Sequence, residues 1–491
     1  MPHTPRIRAP RRLKAALLAS AVTVCLVAAS APPAPLGVGD RLFPHLGNPG
    51  YDVAAYDLSL TYPGTNDKPL KAVTTIDART TDELEHVNLD FARGQVESVE
   101  INGEAAASYA AAGEDLVITP RDSLPAGRWL RIVVRHTSDP VAGKGREGGW
   151  VRTADGLAMA NQADVAHLVF PCNDHPSDKA MFTFRITAPE GFTAVANGLP
   201  SDPADRADGG TTWTYRTRHP MATELAQVSI GRSTVVHRTG PHGLPVRDVV
   251  PTEHRERLEP WLAKTPDQIV WMENKVGPYP FEAYGVLMAD AITGFELETQ
   301  TLSLFEKDLF TDPALPPWYV ESIMVHELAH QWFGDSVSPR TWSDLWLNEG
   351  HATWYEALYA EEKADRPLEA RMKAAYGASD RWRAAGGPPA APKVPAAGSR
   401  LGIFRPNVYD GAALILYALR QEIGAPAFDR LERAWVSRHR DATATTADFV
   451  HLASEMAGRD LTGFFAGWLY AEKTPPMPGH PDWKSAAPNA A

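Results

Sequence analysis

His326-Glu327-Leu328-Ala329-His330, followed by Glu349 with eighteen residues between, constrains this chain more than any other feature. On a helix, histidines four apart project from one face, roughly 5–6 Å between Cβ atoms. That spacing lets two imidazoles close on one zinc ion, while Glu327, one position after the first, faces the same space without ligating it. A catalytic zinc takes three protein ligands and keeps one position open. Glu349 lies in a second run with helical spacing, Asp344–Glu362, and is the expected third ligand. The pattern therefore predicts two helices facing each other across a buried charged cluster. His351 follows Glu349 by two residues, but a fourth ligand would close the open position, so it is expected only to border the pocket.

Given zinc, the residues imply hydrolysis of an amide. Glu327 is the expected general base, accepting a proton from water and delivering it to the leaving amine. The developing oxyanion needs a second stabiliser, which a tyrosine hydroxyl can provide. These residues do not separate exo- from endo-cleavage.

The chain begins with a basic stretch holding Arg6, Arg8, Arg11, Arg12 and Lys14, an apolar run from Ala15 to Ala29, then small residues. This is the layout of a secretory signal peptide over residues 1–31, and it predicts a secreted protein. Without those five basic residues the remainder carries 43 basic against 60 acidic residues, a net −17. Such a balance excludes an electrostatic footprint for nucleic acid. No later segment is apolar enough for membrane insertion. Cys25 lies within the signal, which leaves Cys172 without an intrachain disulfide partner.

The fold class expected is α+β. A linker is predicted over 32–45 and a β-rich domain, a sandwich or large open sheet, over 46–250, where alternating runs such as Tyr56–Tyr62 and Leu130–Val134 are punctuated by turn residues. A mainly helical catalytic domain follows over 251–475. Helical spacing marks Arg255–Lys275, Trp318–Phe333, Asp344–Glu362, Pro367–Tyr376, Gly411–Ile423 and Ala427–His439, with a strand at Tyr284–Met288. The proline-rich tail, 476–491, reads as surface coil.

The runs His326–Asp335 and Trp342–Gly350 resemble the aminopeptidase N family of zinc metallopeptidases (gluzincins), which includes the leukotriene hydrolases. Phe170–Ala180 is similar to that family's signature in its N-terminal β domain. The resemblance implies a saddle-like N-terminal β domain docked on a thermolysin-like catalytic domain, one Zn2+ per chain, and removal of single residues from peptides with a free N-terminus. The family's Gly-Ala-Met-Glu-Asn motif is altered here to Phe295-Glu296-Leu297-Glu298-Thr299. By that register Glu298 holds the substrate amine, with Glu296 as the substitute if the register shifts. Gln162 and Asp164 match a second amine-binding segment, with Asp where the family has Glu. Tyr409, ahead of a helix, matches the oxyanion tyrosine, and Tyr417 reads as packing. A zinc endopeptidase, an epoxide hydrolase, or a binding protein with a relic site are the alternatives. Many relatives carry a large helical C-terminal domain for which this chain leaves no room, so a more open cleft is expected.

Overall fold

The structure, a computed structural model, describes residues 37–141, 148–201, 205–207, 209–396 and 399–486; the signal segment at 1–31 lies outside them. Tyr51–Thr61 buries alternate residues, as a strand covered on one face should. It pairs antiparallel with Leu70–Thr80 and parallel with Met181–Pro189, at the centre of a nine-stranded sheet. A four-stranded sheet (Gly149–Arg152, Leu157–Ala160, Thr193–Ala196, Val228–Gly231) and a three-stranded one pack with it around one apolar core. A β-rich half followed by a helical half is the α+β arrangement expected.

The boundary expected at residue 250 cuts through a sheet. Ser233–Thr239 and Pro245–Pro251 continue into Val286–Ala289 and Ser303–Glu306 as one four-stranded mixed sheet. Beside it stand α1 (Arg255–Leu262), α2 (Thr265–Val276), α3 (Lys307–Thr311), α4 (Pro317–His330), α5 (Trp346–Ala364), α6 (Leu368–Gly386), α7 (Asp410–Ile423), α8 (Ala425–Arg438), α9 (Thr446–Ala457) and α10 (Thr462–Phe465). The single helix expected over Arg255–Lys275 is two, because Pro266 opens a new helix as first-turn prolines do. Helix α6 runs ten residues past its expected end at Tyr376, through Gly377.

Two terminal expectations are corrected. The tail is coil over its described residues, 476–486, yet Met477 and Trp483 are buried, and Trp483 stacks on Tyr417 with ring planes 9° apart. The described part of the segment taken as a linker, from residue 37, is docked rather than free. Leu42, Phe43 and Leu46 form a small core with Ala163, Trp342, Leu345 and Val408. Asp40, buried, organises it: one carboxylate oxygen accepts the amides of Leu42 (2.7 Å) and Phe43 (3.2 Å), and the other accepts the Trp342 amide (2.8 Å) and faces His175 Nε2 (3.2 Å). From the β half, Lys179 Nζ donates to the carbonyls of Asp335 (2.7 Å) and Ser336 (3.0 Å), bracing the loop after α4.

Burial works to raise the Asp40 carboxyl, but the hydrogen bonds from His175 and the Trp342 and Leu42 amides outweigh it and hold the group below its ordinary value. The stabilisation is therefore complete above the unfolded value near ~3.9 and is lost as pH falls through the lower folded value. Asp40→Ala leaves buried amides without acceptors and should cost about 1–3 kcal/mol, read from urea unfolding at pH 7.

Candidate active site

Helices α4 and α5 pack against each other and bring the predicted ligands together. His326 Nε2 and His330 Nε2 lie 3.4 and 3.5 Å from the same Glu349 oxygen, and all three residues are buried. The opposite ring nitrogens are already engaged: His326 Nδ1 with Glu356 Oε2 at 3.1 Å, and His330 Nδ1 with the Phe333 carbonyl at 3.1 Å. Each Nδ1 proton thus has an acceptor, which leaves the Nε2 lone pairs for a cation. The shared Glu349 oxygen is buried with no hydrogen-bond partner. This donor set, three ligand atoms within 4.8 Å of one another, fits a zinc ion.

Glu356 was not singled out in the sequence. It lies seven residues after Glu349, two helical turns along the same face, and that spacing was the available signal. Its second oxygen accepts from Arg371 Nη1 (2.7 Å), and Arg371 Nε donates to Asp410 (2.8 Å).

Burial opposes charge on the imidazoles, yet Glu349 and Glu356 raise His326 to about 10, and Glu298 and Glu349 raise His330 to about 9. Burial also acts against charge on Glu349, but the two imidazoles bring it down to about 2. Glu327 is pushed well above its ordinary value, first by burial and then, against the pull of His330, by Glu298, Glu296 and Glu349. Its Oε2 is buried and unpartnered, as suits a base awaiting a proton.

The remaining predicted residues, Asp164 excepted, converge on a cavity of about 490 Å³ over the triad. Tyr409, at the start of α7, stacks on His326 with centroids 6.0 Å apart. The approach of α7 depends on Gly350, where a Cβ would meet the Ala412 Cβ at 2.7 Å. Burial and the nearby carboxylates, Glu349 foremost, raise the Tyr409 hydroxyl well above its usual range, so it stays a proton donor. Glu298 Oε1 accepts a hydrogen bond from Gln162 Nε2 (2.6 Å) and lies 3.9 Å from His330 Nδ1. Gln331, next to His330, donates to the Glu298 carbonyl (3.1 Å) and fixes the strand edge to α4. Glu296 lines the same cavity; Asp164 is buried and does not.

His351 does not border the pocket as expected. Its ring stacks on Phe333 at 4.4 Å, with Nδ1 on the Leu347 carbonyl and Nε2 facing Glu432. Tyr417 turns to His480 and Trp483, a packing role as read.

A β-rich half docked on a helical half that carries two histidines and a glutamate from facing helices is the arrangement that the resemblance to the gluzincins implies. Family comparisons agree. The Peptidase family M1 domain matches residues 262–468 and the Peptidase M1 N-terminal domain matches 158–225. The chain belongs to this family. Aminopeptidase N of Streptomyces lividans is 24% identical over 85% of this chain, and mouse glutamyl aminopeptidase 26% over 62%. The chain spans 50% and 33% of those proteins' lengths. The crystal structure of an M1 zinc metallopeptidase from Deinococcus radiodurans superposes with a TM-score of 0.76 at 28% identity, covering 90% of this chain and 98% of that one. A mutant of that protein bound to a Tyr-Ser-Ala substrate matches with the same score.

Protons and zinc compete for the same lone pairs, so zinc uptake should release protons and tighten as pH rises from 6 to 8. Competition against a chromogenic chelator measures this, and Glu356→Gln should weaken the binding by about 10–100-fold.

Proposed function

We propose that this protein is a secreted zinc aminopeptidase that removes N-terminal residues from peptides, with one zinc per chain. The observation that carries the reading is Glu298, a buried carboxylate in the same cavity as the triad and 3.9 Å from one of its histidines. A free α-amine satisfies it, whereas an internal peptide segment would leave it buried beside an uncharged amide at a cost of several kcal/mol. The names of the curated relatives and the tripeptide bound to the Deinococcus protein support this choice over an endopeptidase or an epoxide hydrolase. Secretion rests on the signal-like stretch at 1–31.

His326, His330 and Glu349 would hold the zinc, which when bound would supply Lewis acidity towards the scissile carbonyl and the attacking water. Glu298 and Gln162 hold the substrate amine and so set which carbonyl is presented. Glu327 accepts the proton of the attacking water, then returns it to the departing amine. The Tyr409 hydroxyl donates to the oxygen on which negative charge develops. Glu356 keeps the His326 ring turned so that its Nε2 faces the site.

One assay tests the reading: a free and an N-acetylated copy of one peptide, with and without a chelator. Cleavage should require the free amine and stop with the chelator; equal rates on both copies would end the aminopeptidase assignment. Glu327→Gln should keep its zinc and lose about 10²–10⁴-fold in kcat. Tyr409→Phe should lose about 10²–10³-fold in kcat with a smaller change in KM.

A further inference from the structure

Leu297 forms an isolated bridge with Leu304 and turns into the β-domain core. Its neighbours at 296 and 298 therefore both face the cleft, and both line the cavity where Leu297 does not. Along extended backbone such positions stand about 6–7 Å apart. Glu298 lies at the His330 end of the triad, beside Gln162. Glu296 lies towards the other end, with His326 and Tyr319 within its electrostatic reach. A peptide whose amine rests on Glu298 and whose first carbonyl reaches the triad must continue towards His326. Its second residue then passes Glu296.

The charges around that position are unequal. Glu356 and Asp410 are neutralised by Arg371 at 2.7 and 2.8 Å. Arg405, on the rim, spends its Nε and Nη1 on the carbonyls of Gly402 (2.7 Å) and Ala385 (3.2 Å). Glu349 and Glu298 are accounted for by the metal and the substrate amine. With Glu327 reserved as the general base, Glu296 is the cavity carboxylate left over: among the described residues no Lys or Arg forms a salt bridge with it, and its strongest charged neighbour is another acid, Glu306. A half-buried carboxylate of this kind calls for a cation.

Building on the aminopeptidase reading, we propose that Glu296 selects the residue after the scissile bond, favouring peptides whose second side chain is a lysine or arginine. The role differs from holding the α-amine, because Glu298 and Gln162 already form that pair. It is also a specificity role rather than a catalytic one.

The test compares release of leucine from Leu-Lys-Ala, Leu-Ala-Ala and Leu-Glu-Ala by the full chain and by Glu296→Gln, with N-acetyl-Leu-Lys-Ala as a control. The native protein should prefer lysine over glutamate by about tenfold or more in kcat/KM, mostly through KM. In the variant that ratio should fall to within about twofold, since an isosteric amide keeps the shape and loses the charge. A native preference that persists in the variant, or no native preference, overturns the proposal. So does an equal loss on all three peptides, which would mean that Glu296 holds the amine. Cleavage of the acetylated control as fast as the free peptide is a separate result and sinks the aminopeptidase reading itself, as would no release of leucine from any peptide.

Discussion

The packing of α4 on α5 concentrates negative charge where water is scarce, and the rest of the structure accommodates that concentration. Glu298, Glu327, Glu349 and Glu356 all lie buried around two imidazoles. Buried carboxylates repel one another and are costly unless each meets a cation or a donor. Arg371 answers Glu356, the zinc site answers Glu349, and Gln162 reaches across from the β half to Glu298. Glu327 is left with an unpartnered oxygen, and an unsatisfied base beside a metal site is what hydrolysis requires.

Holding that arrangement takes both halves of the chain. The loop after α4 is gripped by Lys179 of the β half, and the strand edge bearing Glu298 is tied to Gln331. Tyr409 reaches His326 because Gly350 lets α7 come close to α5. A small core built on Leu42, Phe43, Ala163 and Val408 joins the N-terminal segment to the stretches bearing Gln162 and Tyr409. The sides of the cleft proposed to bind the amine and the oxyanion are therefore anchored in common packing, which suits a site that must position atoms to within a fraction of an ångström.

Much of this was legible in the sequence wherever the signal was local. The HELAH run and the helix bearing Glu349 show 3.6-residue spacing, and their ligands fall where that period puts them. The capping box of α9, with Thr445 and Asp448, was equally local and went unread, so that helix was missed. Glu356 followed the same periodicity, but nothing local says that a carboxylate will meet a histidine ring across a helix pair. His351 is the converse case. Two residues beyond a ligand in sequence, it lies about 200° around the helix from Glu349 and stacks on Phe333 instead. The tail and the N-terminal segment looked like coil because they are coil; their burial depends on distant partners such as Tyr417 and Trp342.

The sequence alone pointed to the candidate zinc ligands and base, and determined the class of fold and the family, because each is written in short-range spacing or in runs of contiguous residues. Only the tertiary structure decided that Glu298 and Glu296 line one cavity, what orients His326, and that residues 40–46 are part of the site's support. Those outcomes depend on contacts between residues far apart in the chain, such as Gln162 with Glu298 and Asp40 with Trp342. Such contacts form when apolar faces that local periodicity merely creates are packed together and their buried polar groups must find partners.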